Sequence, residues 1–230
     1  MSSRKIIFLE DEYYHIFNRG VDKRIIFQDQ KDFNRFLLSM IEFNSVDTIG
    51  SIFENSFRKR KPLGNGVSKY GKKTKEIEPL VEYIAFCLNP NHFHLIVRQI
   101  SEKGIEKLMH RLGLGYTKYF NERNKRSGAL FQGPFKAVHI ENNEQLLYLS
   151  VYVNLNNRVH KIADKRCVSS WPEYRNNRAK GICNKGIILS QFKNKDKYEK
   201  ESEELVRDIQ EKREDMKSML LEELGNGVSK

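Results

Sequence analysis

The sequence predicts an α+β fold: a ferredoxin-like antiparallel sheet with helices packed on one face, followed by a C-terminal helical extension. Three observations carry that expectation. Strand-like and helix-like runs alternate in the order β-α-β-β-α-β-α as far as His160. Two apolar runs are separated only by Asn89-Pro90-Asn91, a spacing that suits an antiparallel hairpin. From about residue 195 the chain becomes dense in Lys and Glu with widely spaced apolar points, as a solvated helix does.

Each element has its own warrant. "EYYHIFNRG" (12–20) is an aromatic and β-branched run ended by Asn-Arg-Gly, a strand and its turn. In "DQKDFNRFLLSMIEFN", Phe33, Phe36, Leu37, Met40 and Ile41 recur at three and four behind Asp29, a good cap, which predicts an amphipathic helix. Residues 56–79 are rich in glycine and lysine with no periodicity, a basic loop insertion. "LVEYIAFCL" and "HFHLIVRQ" form the hairpin. "KGIEKLMHRLGLGYTKYFNERNKRSG" places Ile105, Leu108, Met109, Leu112, Tyr116, Tyr119 and Phe120 on one face of a second helix, with Gly128 at its exit. "FKAVHI" is another strand, and "NNEQLLYLSVYVNLNNRVH" a third helix starting at Asn142 or Asn143. We expect residues 1–175 to form the functional domain and 176–230 the helical extension. The segment "LGNGVSK" occurs at both 63–69 and 224–230, too short to be a structural repeat.

The 230 residues carry 41 Lys+Arg against 30 Asp+Glu, a net charge of +11. The excess is uneven. From residue 193 onward there are 9 basic and 11 acidic residues, which leaves 32 against 19 before it. A field of that sign on the globular part fits a polyanionic partner, nucleic acid above all. No apolar stretch is long enough to span a bilayer and no signal-like segment opens the chain, so a cytoplasmic, nucleoid-associated protein without a membrane partner is expected. Three cysteines at irregular spacings frame neither a disulfide scaffold nor a zinc knuckle.

Within "LNPNHFHLIV" (88–97), His92 and His94 stand one residue apart on a strand and therefore share a face, opposite Phe93 and Leu95. Two such histidines are more often a hydrogen-bonded pair than a metal site. The helix "LLYLSVYVNLNN" adds Tyr148, Tyr152 and Asn156 at four-residue spacing along one edge. Packing alone would explain a lone tyrosine column. A phenol is nevertheless a competent nucleophile at phosphorus when a metal ion polarises the phosphate, and an amide oxygen one turn later can serve the same ion.

"NPNHFHLIV", "LMHRLGLGYTKYFNERNKRSGALFQGPFKAVHI", "EQLLYLSVYVNLNNRV" and the upstream "YYHIFNRG" together resemble the single-tyrosine HUH transposases, in particular the REP-associated tyrosine transposase group. The likeness runs in order from about residue 10 to 175 and ends at "SSWPEY". It implies a divalent metal, Mg²⁺ or Mn²⁺, held by His92 and His94 with Asn156, and Tyr152 as the nucleophile that forms a 5′-phosphotyrosine link to single-stranded DNA. Tyr148 is the fallback nucleophile. Rejoining without ATP, hairpin-flanked sites and a monomer or homodimer are also implied. Arg19, Lys23 and Arg24 after the first strand, and Arg123, Lys125 and Arg126 at the exit of the second helix, are the expected phosphate contacts. A hairpin-binding module without strand transfer, or a phosphodiesterase that uses water, are the competing functions.

Overall fold

His92–Gln99 (β3) is the middle strand of a five-stranded antiparallel sheet ordered β4-β1-β3-β2-β5, with β1 at Tyr13–Arg19, β2 at Val81–Asn89, β4 at Lys136–His139 and β5 at Val168–Ser169. The β4-β1-β3-β2 order is the ferredoxin-like arrangement that the sequence predicts. The computed structural model describes residues 6–47, 50, 52, 78–163, 166–176 and 181–226, with 215–226 as backbone only. Most of the expected basic loop and both copies of LGNGVSK, except for the start of the second copy, therefore lie outside the described residues.

Two helices cross one face of the sheet. Gln30–Glu42 (α1) starts where expected: Asp29 accepts from the amides of Lys31 and Asp32, satisfying two orphan donors of the first turn. Gly104–Arg123 (α2) begins with no side-chain cap, after Lys103 in the left-handed region (φ 55). Position 104 must be glycine because a Cβ there would sit 2.1 Å from the Leu80 carbonyl oxygen. Phe33, Phe36 and Met40 of α1 and Ile105, Leu108, Leu112 and Tyr116 of α2 meet Tyr14, Ile16, Phe93, Leu95 and Val97 in one core.

The other face is covered as well, a second layer formed by the elements after β4. Asn143–Asn154 (α3) is capped by Asn142, whose side chain accepts from the Gln145 amide at 2.8 Å. Leu146, Val151 and Val153 of this helix pack on Ala85, Cys87 and Ile96. Beyond them lie the short helices Asn156–Val159 (α4), Trp171–Arg175 (α5) and Gly186–Leu189 (α6), and then the long Lys195–Asn226 (α7). The α7 stripe is Tyr198, Ser202, Val206 and Ile209, all buried, with Tyr198 packed against Trp171, Tyr174 and Phe192.

The third helix does not run unbroken to His160 as its pattern suggests. It stops at Leu155 (φ −113, ψ 22) and resumes as the single turn of α4. Three asparagines surround the break, and asparagine trades helical backbone bonds for side-chain ones. Asn154 accepts from the Ser170 hydroxyl at 2.5 Å and donates to the Tyr198 hydroxyl at 3.3 Å, while Asn156 turns inward to Asn89. Tyr152 and Asn156 consequently leave the common column that an ideal helix would give them.

The ends of α1 and α2 are tied by a charge network. Asp32 is fully buried, and its carboxylate accepts from Arg123, from the Tyr119 hydroxyl at 3.1 Å and from the Gln28 amide at 2.8 Å. Arg123 also grips Asp29 through two further bonds, at 2.9 and 2.5 Å, holding the Asp29 carboxyl well below its usual range. Removing the guanidinium would strand a buried carboxylate. Arg123→Ala is therefore expected to lower unfolding free energy by about 3 kcal/mol, read from urea titration at pH 7.

Candidate active site

The strand register assembles the site. His92 lies opposite Arg19 on β1 and Asn89 on β2, and His94 lies opposite Phe17 and Cys87. Directly opposed residues share a face, so β1, β2 and β3 present His15, Phe17, Arg19, Asn89, His92 and His94 toward α3. This face holds a cavity of about 470 Å³, lined among others by Arg19, Lys23, His92, His94, Gln132, Lys136, Tyr152 and His160. Among the described residues, three that line it are cations and none is a carboxylate.

Four aromatic rings bound the reactive end. The His92 and His94 rings lie 5.1 Å apart edge to face, Tyr152 is 6.0 Å from His94, and His160 is 6.1 Å from His92. The Tyr152 hydroxyl faces His160 Nε2 at 3.4 Å. Tyr152 thus shares one pocket with both histidines of the His-Phe-His strand. Tyr148 lies elsewhere, 43% exposed and lining a groove with α7.

The hydrogen bonds around the two histidines decide what they can bind. His92 Nδ1 meets Asn91 Oδ1 at 2.6 Å, and His94 Nδ1 meets His15 Nε2 at 2.9 Å. With the proton of each ring assigned to Nδ1, both Nε2 atoms carry lone pairs, the tautomer in which histidine ligates metal. His92 Nε2 faces Asn89 Nδ2 at 2.9 Å, and the same amide donates to Asn156 Oδ1 at 2.7 Å. Asn156 is fully buried, and its own Nδ2 has no partner.

Burial keeps all four imidazoles neutral at pH 7. It lowers His92, opposed by hydrogen bonding of the protonated ring to the Asn156 side-chain oxygen, and holds His15 down to about 4. His94 lies well below the usual range through burial and then through its neighbours His15, His92 and His160. His160 is lowered to about 4 by burial first, then by Arg213 and His92. Neutral imidazoles are the form that binds a divalent cation.

The donor set fits such an ion in a particular way. Among the described residues, no three His, Cys, Asp or Glu side chains form a cage. Two imidazole nitrogens, with the remaining positions left to water and phosphate oxygens, suit a loosely held Mg²⁺ or Mn²⁺ rather than a structural zinc; Asn156, the third expected ligand, does not line the cavity, and its Oδ1 accepts from Asn89.

Of the other expected site residues, Arg19 and Lys23 reach the cavity, and Arg24 is exposed nearby in sequence without lining it. Arg123, Lys125 and Arg126 do not line it. Arg123 is committed to Asp29 and Asp32, and Arg126 donates to Asn121 Oδ1 and to the Ala129 carbonyl, fastening the end of its own helix. Lys125 is exposed with φ 49. Sequence reasoning missed His15, Asn89, Lys136 and His160. His15 had a signal, since it alternates with Phe17 and Arg19 on β1. His160 had none: an unbroken helix would place it about 12 Å along the axis from Tyr152.

The neutral histidines set a pH dependence of stability. Above 6.5 the unfolded and folded chains both leave His15 and His160 unprotonated. As pH falls, the unfolded chain takes up protons that the folded chain refuses, so stability is lost from 6.5 down to about 4, where both states are charged. Circular dichroism should show Tm declining across that window, and less steeply for His15→Phe.

A family model described as "Transposase IS200 like" matches residues 63–156. No curated protein matches the chain. Among solved structures, one titled "Structure of the REP associates tyrosine transposase bound to a REP hairpin" is similar at 13% identity and a TM-score of 0.44, covering 80% of this chain and 94% of that one. No helix among the described residues is long and apolar enough to cross a membrane. The matched stretch, residues 63–156, is the one that carries His92, His94, Tyr152 and Asn156.

Proposed function

We propose that the chain is a metal-dependent single-stranded DNA transposase that nicks and rejoins hairpin-flanked sites through a 5′-phosphotyrosine at Tyr152. The observation that carries this reading is the meeting of Tyr152 with His92 and His94 in one cavity rimmed by cations.

In this reading Arg19, Lys23 and Lys136 seat the backbone phosphates beside the scissile bond. His92 and His94, with the Asn156 carboxamide, would hold a Mg²⁺ or Mn²⁺ ion, which supplies polarisation of the scissile phosphate when bound. His15 and Asn91 fix the ring orientations through the Nδ1 atoms. The Tyr152 oxygen attacks phosphorus, the Tyr–O–P bond forms, the bond to the 3′-oxygen breaks, and a free 3′-OH remains. Because an ester replaces an ester, attack by another 3′-OH reverses the step with no energy source. The hairpin preference, the choice of monomer or homodimer, and a nucleoid location are carried over from the family resemblance.

A second reading has an observation of its own. Asn89 Nδ2 lies against the very lone pair of His92 that a metal would need. If that contact persists in solution, the protein is a hairpin-binding module without strand transfer. The two are separated by incubating the protein with Mn²⁺ and an end-labelled hairpin oligonucleotide bearing a single-stranded flank, then running a denaturing gel. A covalent protein–DNA band is expected, lost in Tyr152→Phe and in EDTA while hairpin binding survives. Binding with no band from the wild type favours the second reading, and cleavage with no band points to water as nucleophile.

The basic rim makes a separate prediction. Arg19→Ala combined with Lys23→Ala should weaken binding across all DNA sequences alike and reduce the slope of log K against log salt by about 1 per lost phosphate contact, measured by fluorescence anisotropy.

A further inference from the structure

We infer that His160 is a positioning residue for Tyr152, and that the C-terminal helix α7 acts on the reaction by holding His160 in place. This rests on the reading of Tyr152 as the nucleophile but adds a residue and a part of the chain that the reading does not use.

The geometry begins at the break in the third helix. Leu155 ends α3, and α4 turns the chain so that His160, eight positions after Tyr152, comes back beside it. His160 Nε2 faces the Tyr152 hydroxyl at 3.4 Å, while its ring lies edge to face with His92 at 6.1 Å. A tyrosine oxygen swings freely with the side chain unless something receives its hydrogen. An acceptor at His160 gives the hydroxyl a preferred direction and so restricts where its lone pairs point within the shared cavity.

What keeps His160 there is α7. The α4 turn leaves the Arg158 carbonyl facing outward, and Gln210 donates to it at 2.8 Å. Arg158 pairs with Glu203 at 3.4 Å, and Lys161 pairs with Glu214. These three contacts bracket His160 from both sides in sequence, and Gln210, Arg213 and Glu214 share with His160 a groove on the outer side of the turn. The acidic, solvated extension thereby has a task at the catalytic pocket from which its own stripe is otherwise remote.

The test uses the full chain with four residues at position 160: the native histidine, His160→Ala, His160→Asn, whose shorter side chain stops before the phenol, and His160→Gln, which reaches with an acceptor oxygen. Single-turnover adduct formation on the labelled hairpin with Mn²⁺ is expected to slow about tenfold for Ala and Asn, the loss of one hydrogen bond. Gln should stay within about threefold of the native rate, and hairpin affinity in EDTA should change by less than about twofold in all. An activity-free readout accompanies it: 3-fluorotyrosine placed at 152 should keep its ¹⁹F shift in Gln and move in Ala and Asn. Full rate in Ala or Asn, or Gln as slow as Ala, overturns the inference, as does a ¹⁹F shift indifferent to position 160. Where the wild type forms no adduct but the ¹⁹F signal responds, the contact stands and the nucleophile assignment fails. If Ala does not fold, as judged by its melting curve, the Asn and Gln pair carries the comparison.

Discussion

The two-residue period of β3 governs this molecule. The strand is flanked by β1 and β2 and covered on both faces, so each side chain has one of two fates. Phe93, Leu95 and Val97 go to the α1/α2 core; His92, His94 and Ile96 go to the side of α3. A slip of one residue against β1 would send both imidazoles into an aromatic core and put Phe93 where a ligand belongs. The apolar half of the strand therefore fixes the polar half. Phe93 packs 5.2 Å from Phe36 and 5.8 Å from Phe131, and that anchoring determines where the histidines emerge.

The polar half is costly in isolation and made tolerable by pairing. Burying neutral imidazoles without partners would destabilise the fold, but each reactive ring has its Nδ1 engaged, one by an asparagine and one by another histidine. Among the described residues that line the cavity there is no carboxylate, so a divalent ion there would retain nearly its full charge until a phosphate arrived. Metal and DNA would then each improve the site for the other, as any two mutually favourable ligands must.

Much of this was legible beforehand because it depends on local periodicity. The caps Asp29 and Asn142, the hairpin at Pro90-Asn91 and the shared face of His92 and His94 follow from residue type and spacing. Tyr152 follows from a family likeness, and the packing of α3 on the sheet brings its ring to 6.0 Å from that of His94. What was not legible depends on side chains choosing partners across the chain. Arg123 looked like a phosphate contact because its target, Asp32, lies 91 positions earlier, on a helix whose packing partner cannot be read from spacing. The helix pattern ran smoothly through Leu155 because apolar and polar positions were in phase; the asparagine bonds to Ser170, Tyr198 and Asn89 that interrupt it are tertiary.

The end of α3 at Leu155 bears on the direction from which an anion could enter the pocket. Tyr152 sits in the last turn of that helix, where the peptide carbonyls sum to a partial negative charge. A phosphodiester cannot approach along that axis without repulsion. The positive side chains stand on the opposite wall, on β1, on the turn after it and on β4. The electrostatic gradient across the pocket thus runs from sheet to helix, and an anionic strand entering it would be drawn with its phosphates against the sheet.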